Sequence, residues 1–126
     1  MSKTTVSEEA VRKFETLMSL LKSMHEELRE FAKRKQDGAV SKTRVAMINR
    51  LLSEAKELLK EEDTARFLDL LDEDTVPQNA DAALVLGQYV AAMNQFHDRH
   101  TTGSFGDLRW LTPEPEPSRK GKGKGK

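Results

Sequence analysis

The chain has 126 residues, of which 37% are apolar, 33% charged and 6% aromatic, and it contains no cysteine. A chain of this length has room for one hydrophobic core, and so high a charged fraction argues against an integral membrane protein. The lack of cysteine excludes disulfides, thiolate zinc sites and cysteine nucleophiles. Because the first residues also lack the apolar run of a secretory signal, we expect an intracellular, cytoplasmic domain.

The net charge of zero hides a division between the body of the chain and its C-terminus. Residues 119–126 contain five cations and no acid, which leaves 16 cations against 21 acids in the rest of the chain. The terminus is therefore +5 and the body −5, so electrostatic arguments about partners must treat the two separately. The five terminal cations are Arg119, Lys120, Lys122, Lys124 and Lys126.

The clearest pattern in the chain is an alternation of four- and three-residue spacings between apolar residues from Ala10 to Phe31. It predicts a first helix over about residues 7–35, with Thr5 and Glu8 as a capping box at its start. A seam this strict is typical of coiled coils and offers more apolar surface than a small bundle covers, so we predict a homodimer. The predicted oligomerisation residues are Phe14, Leu17, Leu21, Met24, Leu28 and Phe31.

Three further helices are predicted after a short connection over residues 36–40. Ser41 can cap a second helix, antiparallel to the first, whose apolar stripe is too wide for a single neighbour. A short helix carrying Phe67, Leu68, Leu70 and Leu71 should close one end of this hairpin, and the acidic, Pro77-containing stretch 72–79 should be a loop. We expect Asn79 to cap a last, largely apolar helix that fills the groove of the hairpin.

The character of the chain changes after residue 100. A cluster of apolar residues predicts an extended strap that either packs on the bundle, which we favour, or is offered to a protein partner. Its members are Phe105, Leu108, Trp110 and Leu111. The predicted organisation is a flexible N-terminus (1–6), an all-α helical bundle (7–100), the strap (101–112) and a disordered Pro-Glu linker with a Lys-Gly tail (113–126).

Histidines and acids give only weak signals for chemistry. His97 and His100 could share a metal ion, but solvated histidines at a helix C-terminus are the favoured interpretation. His25 is interpreted as a partly buried neighbour of the helix-one seam.

The acid-rich stretch 54–74 lacks the spacing of a calcium loop, and we interpret it as a solvated face able to receive a basic partner or the tail. We predict no cofactor and no metal.

Two functions compete on these observations. Because no catalytic motif is present, we favour a non-enzymatic helical interaction module, a homodimer that binds a protein partner through its helical surface. The alternative is a nucleic-acid-associated protein that contacts phosphates through its tail and through cations at the hairpin turn. The turn cations proposed for this are Arg29, Lys33, Arg34, Lys35, Lys42 and Arg44, with Arg50 nearby.

Overall fold

The predicted all-α class is confirmed by the computed structural model, which describes residues 5–35, 38–103 and 109–112. These residues form three α-helices, one 3-10 helix and two very short strands. In chain order the elements are α1 (Glu8–Arg34), α2 (Lys42–Leu58), η1 (Asp63–Phe67), α3 (Asn79–Arg99), β1 (Thr101–Thr102) and β2 (Arg109–Trp110). The strands pair antiparallel, with Thr101 opposite Trp110.

Serine side chains cap the first two helices. The Ser7 hydroxyl accepts a hydrogen bond from the backbone N–H of Ala10 at 3.0 Å, and the Ser41 hydroxyl accepts one from Arg44 at 3.1 Å. Such a cap satisfies a backbone donor that the first helical turn leaves unpaired. The predicted cap of α2 is confirmed, whereas the cap of α1 is Ser7 and not Thr5.

The apolar seam of α1 is buried inside this chain. α1 packs mainly against α3, and the ring of Phe14 stacks on Phe96 of α3 with 5.8 Å between centroids. Of the six residues predicted to hold a dimer together, Phe14, Leu17, Leu21 and Leu28 are buried, and Met24 and Phe31 are partly buried against the core. The expectation that this seam is open to a second copy is therefore wrong. Dimerisation through another surface stays a prediction.

The connecting segment, residues 68–77, lies between α2 and α3. From α2, the ammonium group of Lys56 donates a hydrogen bond to the carbonyl oxygen of Leu68 at 2.7 Å. From α3, the Tyr89 hydroxyl donates one to the carbonyl of Asp69 at 2.9 Å. Burial and the Asp69 carboxylate raise the pKa of Tyr89 above its ordinary value, so the hydroxyl keeps the proton that it donates.

The connecting segment replaces the short helix predicted over Phe67 to Leu71. The 3-10 helix ends at Phe67, and the chain continues without helical structure. Leu68 and Leu71 are buried in the core, so the segment fills the space between α2 and α3 instead of capping the hairpin. The loop predicted over residues 72–79 is confirmed up to Gln78.

α3 begins one residue earlier than predicted, because Asn79 is its first helical residue and not its N-cap. Gln78 is the N-cap, without a side-chain hydrogen bond. The Asn79 amide instead donates to the carbonyl of Lys35 at 3.3 Å, and the backbone N–H of Asn79 donates to the carbonyl of Gly38 at 2.7 Å. These bonds hold the start of α3 beside the end of α1.

A glycine allows α1 and α3 to approach each other at His25. A Cβ atom added at Gly87 would lie 3.2 Å from the imidazole Nε2 of His25. The His25 side chain is partly buried, which confirms its predicted place beside the seam of α1. Desolvation first, and the charge of Arg29 second, lower the pKa of His25 below its ordinary value, while Glu26 opposes them.

This lowered pKa predicts a loss of stability in mild acid. Below about pH 6.5 the unfolded chain takes up a proton at His25 before the folded chain does, so the free energy of unfolding falls as the pH falls through that range. The loss ends once the pH lies below the folded-state pKa. Urea unfolding at about pH 7.5 and 5.5 should show a smaller acid loss for His25→Gln than for the unsubstituted protein. An equal loss in both would contradict this assignment.

Candidate interaction groove

An apolar groove of about 640 Å³ is open on the surface of the bundle. Its walls come from α1, α2 and the connecting segment. Volumes of this size are typical of binding sites in proteins. Leu20, Ser23, Met24 and Glu27 line it from α1, residues of α2 between Ala46 and Glu54 line it next, and Leu70 and Glu73 complete it.

The groove exposes side chains that water solvates poorly. Leu20 is 47% exposed, Met47 52% and Leu70 44%, and all three line the same groove. Met24 and Leu51 lie between them, partly buried against the core. Single exposed apolar residues are ordinary on protein surfaces, but a contiguous set marks an interaction site. The wide apolar stripe predicted for α2 therefore contacts two regions. Ile48 and Leu52 lie in the core, while Met47 and Leu51 line the groove.

Asn49 fixes the wall that the connecting segment contributes. Its amide donates to the carbonyl of Leu71 at 2.8 Å and accepts from the backbone N–H of Leu71 at 2.9 Å. The same amide nitrogen reaches the Glu73 carboxylate at 3.1 Å. Because Asn49 is buried, these bonds satisfy polar groups that have no access to water.

The two sides of the groove differ in charge. On the helical side, Glu27 is paired with Arg44 and Glu54 with Lys13, both at 2.9 Å, and exposed Arg50 of α2 adds a cation to the lining. On the other side, the connecting segment carries four exposed acids, of which Glu73 lines the groove. They are Asp69, Asp72, Glu73 and Asp74. Among the described residues, no lysine or arginine forms an ion pair with these four carboxylates.

A second polar cluster joins the end of α3 to the turn after α2. The Glu62 side chain is 8% exposed and binds the Arg99 guanidinium at 2.9 Å and His100 Nε2 at 3.1 Å. The His100 side chain is buried, which corrects the prediction that it is solvated. A cavity of about 370 Å³ adjoins these residues and the start of α1. Since the carboxylate already has two partners, Arg99 at the end of α3 and His100 at its C-cap, we assign this cluster to the fold.

Removing the charge of Glu62 tests that structural role. We expect Glu62→Gln to lower the free energy of unfolding by about 2 kcal/mol, because a neutral amide satisfies Arg99 and His100 less well in a buried site. Its exposed neighbour gives the matched control Glu61→Gln, which should leave stability nearly unchanged. Urea unfolding measures both, and equal effects of the two substitutions would refute the structural role.

The predicted strap is partly described, and its described part packs on the bundle. Trp110 meets the rings of Phe14 and His97, with 5.0 Å between centroids in each case. Leu111 donates from its backbone N–H to His100 and accepts from that of Val6. Phe105 and Leu108 lie outside the described residues. The favoured packing interpretation is therefore confirmed for Trp110.

Three of the six cations predicted to contact phosphates at the hairpin turn are paired with acids. Arg29 binds Glu26 and Lys33 binds Glu30, each at 3.3 Å. Arg44 binds Glu27, and the guanidinium groups of Arg34 and Arg44 both lie over the Phe31 ring. Neighbouring acids reduce the positive potential that a phosphate would meet. The tail cations Arg119, Lys120, Lys122, Lys124 and Lys126 lie outside the described residues.

The two histidines of the weak metal hypothesis have different surroundings. His97 contacts Phe14 and Trp110, and its Nδ1 lies 3.7 Å from Asp98. His100 faces Glu62 and the Phe96 ring. Within residues 5–35, 38–103 and 109–112, no group of three or more His, Cys, Asp or Glu side chains is placed to hold a metal ion.

Over the same part of the chain, no helix combines the length and apolar character needed to cross a membrane. Comparison of the sequence and fold with protein families, curated proteins and solved structures gives no match.

Proposed function

We propose that the protein is a non-enzymatic interaction module that binds a protein partner through the groove between α1, α2 and the connecting segment. The observation that carries this proposal is the exposure of Leu20, Met47 and Leu70 on one concave surface. Burying such side chains against a partner releases roughly 25 cal/mol for each Å² of apolar surface. Methionine adds an adaptable contact, because its unbranched thioether fits irregular surfaces.

Site-specific cross-linking tests this function. A photoreactive amino acid at position 47 should give a discrete protein adduct in an extract of the cells that make the protein. The matched control is position 84, because Leu84 of α3 is also exposed and lies outside the groove. The proposal fails if position 47 gives no adduct, or the same adducts as position 84. An adduct between two copies would instead identify a homodimer that uses the groove.

A further inference from the structure

The groove has the dimensions of a site for a short helix. Its α1 wall extends from Leu20 to Glu27, which is about 10 Å at 1.5 Å per residue. Two turns of a partner helix cover that distance and present apolar side chains at i, i+3 or i+4, and i+7. Leu20, Met24 and Met47 supply the apolar surface that such anchors would contact.

The connecting segment gives the groove an acidic edge at residues 69–74, of which Glu73 belongs to the lining itself. Residues 67–98 contain six acids and no lysine or arginine, and four of the acids lie within residues 69–74. Hydrogen bonds from the backbone of Asp74 and from Thr75 lower the pKa of Asp72, so this carboxylate is ionised at neutral pH. A partner with cations beside its apolar face would gain Coulomb energy along this edge, whereas an acidic partner would be repelled.

Neither the basic tail of the chain nor a second copy of the protein fits the groove well. Residues 113–126 are basic but contain no aliphatic or aromatic side chain other than proline, so they cannot cover the apolar floor. A second folded copy would bring acidic edge against acidic edge in a two-fold arrangement. The apolar seam of α1 cannot serve as a contact surface for such a copy either, because it is buried against α3.

From these observations we infer that the occupant of the groove is an amphipathic helix of a partner protein, with lysine or arginine flanking its apolar residues. This inference rests on the proposed function and adds the chemical class of the partner. The apolar floor supplies affinity, and the acidic edge selects the sign of charge beside the anchors.

A pair of designed peptides provides the probe. Each has about 14 residues with leucine at helical spacing, and the remaining positions are lysine in one peptide and glutamate in the other. Fluorescence anisotropy on the full chain at low salt should show that the lysine peptide binds about ten-fold tighter or more. That preference should shrink at high salt, because exposed charges are then screened.

Variants locate the binding and separate its two causes. Met47→Arg should weaken the lysine peptide by about ten-fold or more, while the control Leu84→Arg on α3 should not. The double variant Glu73→Gln with Asp74→Asn should reduce the preference for lysine over glutamate, and the glutamine keeps an oxygen that can accept from Asn49. Thermal unfolding of each variant verifies that it remains folded.

The remaining outcomes overturn the inference. Equal binding of the two peptides, weakened alike by Met47→Arg, would refute the charge selection and leave the groove as an interaction site. Binding of neither peptide, or binding insensitive to Met47→Arg, would refute a basic helix as the occupant. Dimerisation of the full chain that Met47→Arg abolishes would identify a second copy instead. Cross-linking from position 47 tests the proposed function separately.

Discussion

Replacing Asn49 with aspartate is expected to lower the free energy of unfolding by about 3 kcal/mol or more at neutral pH. The substitution removes the amide donor to Leu71 and places a carboxylate beside the Leu71 carbonyl oxygen and the Glu73 carboxylate. Asn49 is buried, so water cannot compensate for these contacts. The loss should diminish in acid, because a protonated carboxyl group regains a donor.

The matched control for this substitution is Asn94→Asp on the exposed face of α3. It makes the same chemical change in contact with solvent and should alter stability by less than about 0.5 kcal/mol. Urea unfolding at neutral and acidic pH compares the two variants with the unsubstituted protein. Equal stability of Asn49→Asp and Asn94→Asp would contradict the role assigned to Asn49.

Truncation of Leu21 to alanine should cost about 3 to 5 kcal/mol, because it opens a cavity in a fully buried site. The neighbouring substitution Leu20→Ala changes a half-exposed side chain in the groove and should cost less than about 1 kcal/mol. Chemical unfolding of both variants measures this difference.

The concentration dependence of unfolding adds a second criterion for the same pair. If the α1 seam forms the core of one chain, the unfolding midpoint of Leu21→Ala does not change with protein concentration. If the seam held two copies together, dilution would lower the midpoint. Such a shift, or equal costs for Leu20→Ala and Leu21→Ala, would contradict the placement of the seam in the core.

Local signals in the sequence predicted the helices well. The spacing of apolar residues located α1 to within about a residue at each end, and Ser41 was a correct cap for α2. These features depend on contacts between residues three or four positions apart, which the sequence displays directly. Thr5 and Ser7 both have suitable hydroxyls, and pattern alone did not choose between them.

Tertiary partners could not be predicted from the same patterns. An apolar seam has the same spacing whether α3 or a second copy covers it, so the seam of α1 suggested a dimer. The three leucines at positions 68, 70 and 71 fit a short helix or an extended segment equally, because so short an apolar run carries no clear period. The contact of Glu62 with His100 joins residues 38 positions apart and has no local signature.

The groove was partly visible in the sequence. Met47 and Leu51 widened the stripe of α2 beyond what one neighbour covers, and the acids over residues 54–74 suggested a basic partner. The sequence did not show that these two features adjoin. Asn49 joins them by holding the connecting segment to α2, and its position between Ile48 and Leu52 was a signal for such a role, since buried amides in apolar stripes require hydrogen-bond partners.

Methionine methyl groups provide the most direct test of the groove as the binding surface. Met24 and Met47 line it, whereas Met18 and Met93 are buried in the core. In a protein labelled with ¹³C at the methionine methyls, the leucine-lysine peptide should shift the signals of Met24 and Met47 and leave those of Met18 and Met93 nearly unchanged. Shifts confined to Met18 and Met93, or no shifts at saturating peptide, would contradict the groove as the site of binding.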